Sequence, residues 1–87
     1  MSTKEVTIYT SALCGYCHAA KKLLDGKGIA YTQIAIDRQP EKRQEMMDRS
    51  ARRTVPQIFI GDHHVGGFDD LSELESDGEL DALLAAD

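Results

Sequence analysis

Cys14 and Cys17 form a Cys-x-x-Cys motif between a β-rich run that ends at Thr10 and a helical pattern that begins at Tyr16. Cysteines this close together cannot link distant parts of a fold, and cytosolic disulfides are usually transient and catalytic. The thiolate is the reactive form of cysteine, and it is favoured at helix N-termini and in Cys-x-x-Cys motifs. The motif therefore predicts a reversible thiol–disulfide redox centre, with Cys14 as the nucleophile and Cys17, in the first helical turn, as the resolving thiol.

The rest of the chain alternates between strand and helix patterns. Predicted strands cover 5–9, 29–36, 56–60 and 63–65, and predicted helices cover 16–27 and 40–50, followed by a short helix from 69 and another capped at 77. The order βαβαββαα joins a right-handed βαβ crossover to an antiparallel hairpin. It predicts an α/β fold with a mixed four-stranded sheet flanked by helices, and a Cys-x-x-Cys motif near such a unit is typical of thioredoxin-like proteins.

Length and charge limit the possible functions. A chain of 87 residues predicts one domain over 1–87. The net charge is −5, and the basic residues are interleaved with acids, so no basic stripe favours nucleic-acid binding. No apolar run approaches the roughly 20 residues that cross a bilayer. The first residues also lack the apolar core of a secretion signal, so we expect a cytoplasmic protein that binds neither membrane nor nucleic acid.

Three other interpretations of the cysteine pair fit the residues less well. Two buried structural cysteines would suit Cys17, whereas Cys14 lies at a turn. With His18, the pair matches the Cys-x-x-Cys-His pattern of covalent haem attachment, but the preceding strand and the missing export signal argue against it. A zinc site that adds His63 and His64 lacks the usual histidine spacing, because adjacent strand residues point to opposite faces.

Two further motifs accompany the cysteine pair. Thr54-Val55-Pro56 precedes a predicted strand, and Gly66-Gly67-Phe68-Asp69-Asp70 leads into a short helix. With these motifs in this order, the chain resembles the dithiol glutaredoxins over nearly its whole length. The resemblance implies a thioredoxin fold with a cis Val55–Pro56 bond that faces the cysteines. It also implies a glutathione-dependent oxidoreductase that reduces protein–glutathione mixed disulfides and protein disulfides.

The resemblance further implies where glutathione, the co-substrate, would bind. Thr54, Val55 and Pro56 would hold its cysteinyl backbone, and Tyr16 would flank its sulfur. The helix start at Gly67, Phe68 and Asp69 would bind the γ-glutamyl carboxylate, and Asp70 would pair with the γ-glutamyl ammonium. Helix N-termini are favourable sites for anions, which supports the carboxylate assignment.

The sequence offers more than one candidate cation for the glycyl carboxylate of glutathione. Arg43 falls where glutaredoxins often place a basic or amide residue, although a solvated arginine on a helix face is an equally good interpretation. Arg52 and Arg53, just before Thr54, are alternative sources of positive potential for an acidic tripeptide or for Cys14.

Two alternative functions stay open. Gly15 stands where dithiol glutaredoxins more often have proline, and the resemblance associates such relaxed motifs with dimers that bridge a [2Fe–2S] cluster through the first cysteine of each subunit and two glutathiones. The retained Cys17 favours dithiol exchange by a monomer, with glutathionylated or disulfide-containing proteins as partners. A thioredoxin-like reductant served by a flavoprotein reductase is disfavoured, because the chain has no Trp to precede the motif.

Overall fold

The computed structural model describes residues 4–85, so the domain limits predicted at residues 1 and 87 lie outside the described range. The elements within it follow the predicted order βαβαββαα. They are β1 Val6–Thr10, α1 Gly15–Gly26, β2 Thr32–Ala35, α2 Pro40–Ser50, β3 Gln57–Ile60, β4 His63–Gly66, α3 Phe68–Ser76 and α4 Leu80–Ala85. The strand predicted from residue 29 begins later because the Ile29 N–H donates to the Leu24 carbonyl at 3.0 Å and completes the end of α1.

The strands form one four-stranded sheet in the order β2-β1-β3-β4. β1 runs parallel to β2 and antiparallel to β3, while β3 and β4 form an antiparallel hairpin. This confirms the predicted mixed sheet and its α/β class. All four residues of the central strand β3 are buried, which explains its nearly continuous apolar sequence.

Helices cover both faces of the sheet. Alternate residues of β1 point to opposite faces, so Val6 and Ile8 join one core cluster while Tyr9 joins another. The larger cluster contains residues of α1, α3 and α4, and the smaller one contains Met46 of α2. As a result α1 and α3 pack side by side, whereas α2 lies across the sheet from them. None of the helices within residues 4–85 is both long and apolar enough to cross a membrane.

The junction between β4 and α3 depends on a glycine. Gly66 has a φ of +117°, in the region that side-chain-bearing residues rarely adopt. A Cβ atom there would overlap the Asp70 carboxylate and lie 3.0 Å from Nη1 of Arg52. The absent side chain therefore lets the chain turn into α3 while Asp70 folds back over the junction.

Replacing this glycine is expected to be costly. Gly66→Ala should lower the free energy of unfolding by about 1–3 kcal/mol, because the backbone becomes strained and Asp70 must move. Gly26→Ala is the matched control, since Gly26 is helical and nothing lies within 4 Å of its Cβ position. Urea unfolding should show Gly26→Ala as neutral or slightly stabilising. Equal stability of the two variants would contradict the role of Gly66.

Candidate active site

Cys14 is the N-cap residue of α1. Its backbone is extended, with φ −121° and ψ 106°, and its Sγ accepts a hydrogen bond from the Cys17 N–H at 3.1 Å. The amide and the positive end of the helix dipole both favour negative charge on this sulfur. Because Cys14 is only half-buried, its sulfur is positioned to act as an accessible nucleophile.

Cys17 occupies a different environment, although both cysteines are free thiols in this structure. It is 1% exposed and contributes to the underside of α1. Burial, followed by the hydrogen bond with Cys14, raises the pKa of the Cys17 thiol to about 12. At neutral pH Cys17 is therefore protonated and shielded, as a thiol that reacts second requires.

A groove of about 330 Å³ opens between the start of α1, the loop before β3 and the start of α3. Its lining residues are Tyr16, Arg52, Thr54, Val55, Pro56, Gly67, Phe68, Asp69 and Asp70. Every glutathione contact inferred from the resemblance lines this groove, with the exception of Arg43. The structure thus gathers residues from three separated motifs into one surface beside the redox centre.

The groove meets the redox centre at the Val55–Pro56 bond, which is cis. As a thiol, Cys14 donates from Sγ to the Val55 carbonyl across 3.6 Å. On the other side of the opening, the rings of Tyr16 and Phe68 stack with centroids 6.2 Å apart and an interplanar angle of 25°. Tyr16 is 66% exposed, so one face of this aromatic pair is open to a ligand.

The far end of the groove carries paired charges at the start of α3. Oδ2 of Asp70 accepts hydrogen bonds from the Gly67 N–H at 3.0 Å and from Nη1 of Arg52 at 3.2 Å. The Gly67 hydrogen bond, followed by that of Arg52, lowers the pKa of Asp70 below its usual value. The charged form of Asp70 therefore prevails at neutral pH, and its interactions are lost only as the pH falls through this lowered pKa.

The three candidate arginines, Arg43, Arg52 and Arg53, lie in different places relative to the groove. Arg43 is exposed on α2, whose buried residues pack on the sheet face opposite α1 and α3, and it does not line the groove. Arg53 is exposed and also lies outside the groove lining. Arg52 is the cation that reaches the groove, through its ion pair with Asp70. From the sequence Arg52 was only an alternative, because no local pattern predicts its ion pair with Asp70.

The histidines of the haem and zinc interpretations lie on two different elements, α1 and β4. His18 is exposed on α1, and His63 is exposed on β4. His64 is half-buried, and its Nε2 lies 2.7 Å from Oε1 of Gln57. Within residues 4–85, no group of three or more His, Cys, Asp or Glu side chains is arranged to hold a metal ion. Gln57, which was not among the predicted site residues, is buried at the start of β3 and hydrogen-bonds to Thr54 of the groove.

Comparison with known proteins identifies the family. The glutaredoxin family model matches residues 6–65. A glutaredoxin of Pseudomonas aeruginosa is 54% identical over 81 residues, covering 93% of this chain and 96% of its own. Glutaredoxin 3 of Escherichia coli is 53% identical over 79 residues, covering 91% of this chain and 95% of its own.

Solved structures agree with these sequences. The solution structure of a Brucella melitensis glutaredoxin matches with a TM-score of 0.84 and 52% identity, over 97% of this chain and 91% of that one. A buckwheat glutaredoxin–glutathione complex matches with a TM-score of 0.85 and 33% identity, over 93% of this chain and 76% of that one. The fold is therefore the thioredoxin-like fold of glutaredoxins, and the chain belongs to the glutaredoxin family of thiol–disulfide oxidoreductases.

Proposed function

We propose that this protein is a glutathione-dependent oxidoreductase that reduces protein–glutathione mixed disulfides and, through a second route, protein disulfides. The main support is the groove beside Cys14, which combines an exposed peptide backbone, an aromatic pair and an ion pair in a volume of about 330 Å³. Its size and chemistry suit a charged tripeptide. The buckwheat relative of the same fold is described in complex with glutathione.

The loop before β3 supplies the backbone part of the proposed site. An extended peptide binds an exposed backbone edge by main-chain hydrogen bonds, as in strand addition. Val55 provides such an edge, and its carbonyl lies 3.6 Å from Sγ of Cys14. A cysteinyl residue paired with Thr54 and Val55 would therefore hold its sulfur against Cys14, packed on Pro56 and beside Tyr16.

The start of α3 supplies the charged part. The α-carboxylate of the γ-glutamyl group would bind at the helix N-terminus formed by Gly67, Phe68 and Asp69. The ammonium of the same group would bind the Asp70 carboxylate, which the Gly67 amide and Arg52 already orient. We assign Arg52, rather than Arg43, as the arginine that raises the positive potential of the groove.

The reaction on mixed disulfides needs only Cys14. Its thiolate attacks the glutathionyl sulfur, a Cys14–glutathione disulfide forms, and the protein thiolate leaves. A second glutathione thiolate then attacks the glutathionyl sulfur, so that oxidised glutathione leaves and the Cys14 thiolate is restored. Neither step requires the buried Cys17.

Protein disulfides follow a second route. Cys14 attacks one sulfur of the client disulfide and releases the other as a thiolate. Cys17 then loses its proton and attacks Sγ of Cys14, which releases the second client thiolate and closes an internal disulfide. Two glutathiones reduce that disulfide and leave as oxidised glutathione. Cys17 must lose its proton for this attack, because its raised pKa keeps it protonated while both cysteines are free thiols.

We further propose that residues 1–87 act as a single domain, as a monomer in the cytoplasm. Cytosolic thiols are kept reduced by the glutathione and thioredoxin systems, so an accessible Cys14 would be reduced again there after each turnover. The clients would be glutathionylated or disulfide-containing proteins, since glutathione in the groove would leave the exposed Leu13 side of Cys14 free for a protein.

Serine substitutions should separate the two routes. Cys14→Ser is expected to abolish both, because it removes the nucleophile. Cys17→Ser is expected to retain deglutathionylation and to lose the reduction of protein disulfides. Both activities are measured with glutathione, its reductase and NADPH, using a glutathionylated peptide and a disulfide-bonded protein as substrates. Loss of deglutathionylation in Cys17→Ser would contradict the mechanism, and turnover by thioredoxin reductase instead of glutathione would contradict the proposed function.

Neutralising Asp70 should weaken glutathione binding without affecting the chemistry. Asp70→Asn is expected to raise KM for a glutathionylated peptide about fivefold, the order of one hydrogen bond of about 1 kcal/mol, with kcat nearly unchanged. Glu73→Gln removes an exposed carboxylate from the same helix outside the groove and serves as the control. Equal increases of KM in the two variants would indicate a general charge effect and would exclude a specific contact by Asp70.

A second candidate function, cluster binding, is favoured by the surroundings of Cys14. Nothing lies within 4 Å of a Cβ position at Gly15, and Leu13 is fully exposed, so a second copy can approach the sulfur. With Cys17 buried, Cys14 is the accessible thiol of each chain. A [2Fe–2S] cluster would therefore need Cys14 of two copies together with two glutathione thiolates.

Anaerobic reconstitution with iron, sulfide and glutathione tests this second function. Cluster binding would give a coloured dimer in visible absorbance and gel filtration, and omission of glutathione or the Cys14→Ser substitution should then prevent it. A colourless monomer under all conditions would remove cluster binding and leave the oxidoreductase function unaffected.

A further inference from the structure

A buried amide lies directly behind the loop that carries Thr54 and Val55. Gln57 is the first residue of β3 and is 0% exposed, although the rest of the strand is Ile58-Phe59-Ile60. Burying an amide is unfavourable unless its hydrogen-bonding groups find partners. The position of Gln57 therefore calls for partners of both its nitrogen and its oxygen.

Both partners are present. Nε2 of Gln57 donates to the Thr54 carbonyl at 3.0 Å and to Thr54 Oγ1 at 3.2 Å. Oε1 lies 2.7 Å from Nε2 of His64 on the neighbouring strand β4. Because the amide nitrogen is engaged with Thr54, the oxygen must accept, and Nε2 of His64 must carry the hydrogen. A three-residue chain of hydrogen bonds thus runs from β4 through β3 to the groove.

His64 is itself held in place by its surroundings. Its ring packs on Phe59 with centroids 5.0 Å apart, and it is half-buried next to the sheet. Thr54, by contrast, is exposed and belongs to no helix or strand. The sheet therefore provides the rigid end of the hydrogen-bond chain, and Thr54 is the end that needs support.

We propose that His64 and Gln57 are positioning residues for glutathione, which act by holding Thr54 and the adjoining Val55 in the conformation that pairs with the cysteinyl backbone. This inference rests on the proposed function. Neither side chain lines the groove, so each acts through Thr54 and makes no contact with the ligand. An apolar side chain of similar volume at position 57 would fill the core but leave Thr54 unsupported.

Filling the core and supporting Thr54 can be measured separately, which distinguishes a positioning role of Gln57 from a purely structural one. Gln57→Leu leaves the His64 N–H without its partner and should lower the urea midpoint. The double variant Gln57→Leu/His64→Leu removes both polar groups and should recover much of that stability, since replacing both partners by apolar groups is nearly neutral. Thr54 remains unsupported in both variants, so glutathione binding should stay weak in both.

The variants are made in the Cys17→Ser protein, where Cys14 reacts with oxidised glutathione to give the Cys14–glutathione disulfide and one free glutathione. Intact-mass measurement gives the equilibrium constant of this exchange, and steady-state assays with a glutathionylated peptide give KM and kcat. Both Gln57 variants are expected to lower the exchange constant and raise KM about five- to tenfold, with kcat little changed. The conservative variant His64→Gln retains an N–H donor and should behave as the parent protein. His63→Leu, at an exposed position of β4, is a second control and should also behave as the parent.

Recovery of KM and of the exchange constant together with stability in the double variant would overturn the proposal, because Gln57 would then act only in folding. An increased KM in His63→Leu would overturn it as well. If the Cys17→Ser parent itself formed no disulfide with glutathione, the proposed function would fail, and this inference with it. If the Cys17→Ser parent forms the disulfide and the Gln57 variants have the same KM and exchange constant as the parent, the positioning role is contradicted. The proposed function is then unaffected.

Discussion

The hydrogen bond from the Cys17 N–H to Sγ of Cys14 is the interaction on which the redox centre depends. At 3.1 Å it places the first sulfur at the positive end of α1, where negative charge is stabilised. The same turn buries the second sulfur against the sheet, where burial raises the pKa of Cys17 to about 12. One helix start therefore gives two chemically identical residues different environments, and the proposed division of labour between them rests on that difference.

Much of the fold was predictable from local patterns. The β-rich run of β1, the helical spacing after Cys14 and the Gly61-Asp62 turn of the hairpin gave the correct order of elements, because each reflects a preference of a few neighbouring residues. Boundaries were less accurate. The second strand starts only at Thr32, since the residues before it complete the end of α1 instead of pairing with β1.

The site was predictable only in part, because its pairings cross the fold. The resemblance gave the groove residues of the three motifs, yet it also suggested Arg43, which α2 carries on the other side of the sheet. The ion pair between Arg52 and Asp70 joins residues 18 positions apart, one in the loop after α2 and one in α3. The partners of Gln57 likewise depend on the hairpin register that brings His64 beside β3. Both contacts depend on how the strands and helices are arranged in space, and short sequence patterns do not specify that arrangement.

The arrangement also separates binding from chemistry. α1 carries both reacting sulfurs, whereas the groove that would hold glutathione is built mainly by the loop before β3 and the start of α3. These two parts meet at the Val55 carbonyl, 3.6 Å from Sγ of Cys14. A shift of the loop would therefore move a bound cysteinyl sulfur relative to Cys14 without altering the thiol itself. The loop would therefore govern how strongly the cysteinyl backbone is bound, whereas the start of α1 sets the environment of the attacking sulfur.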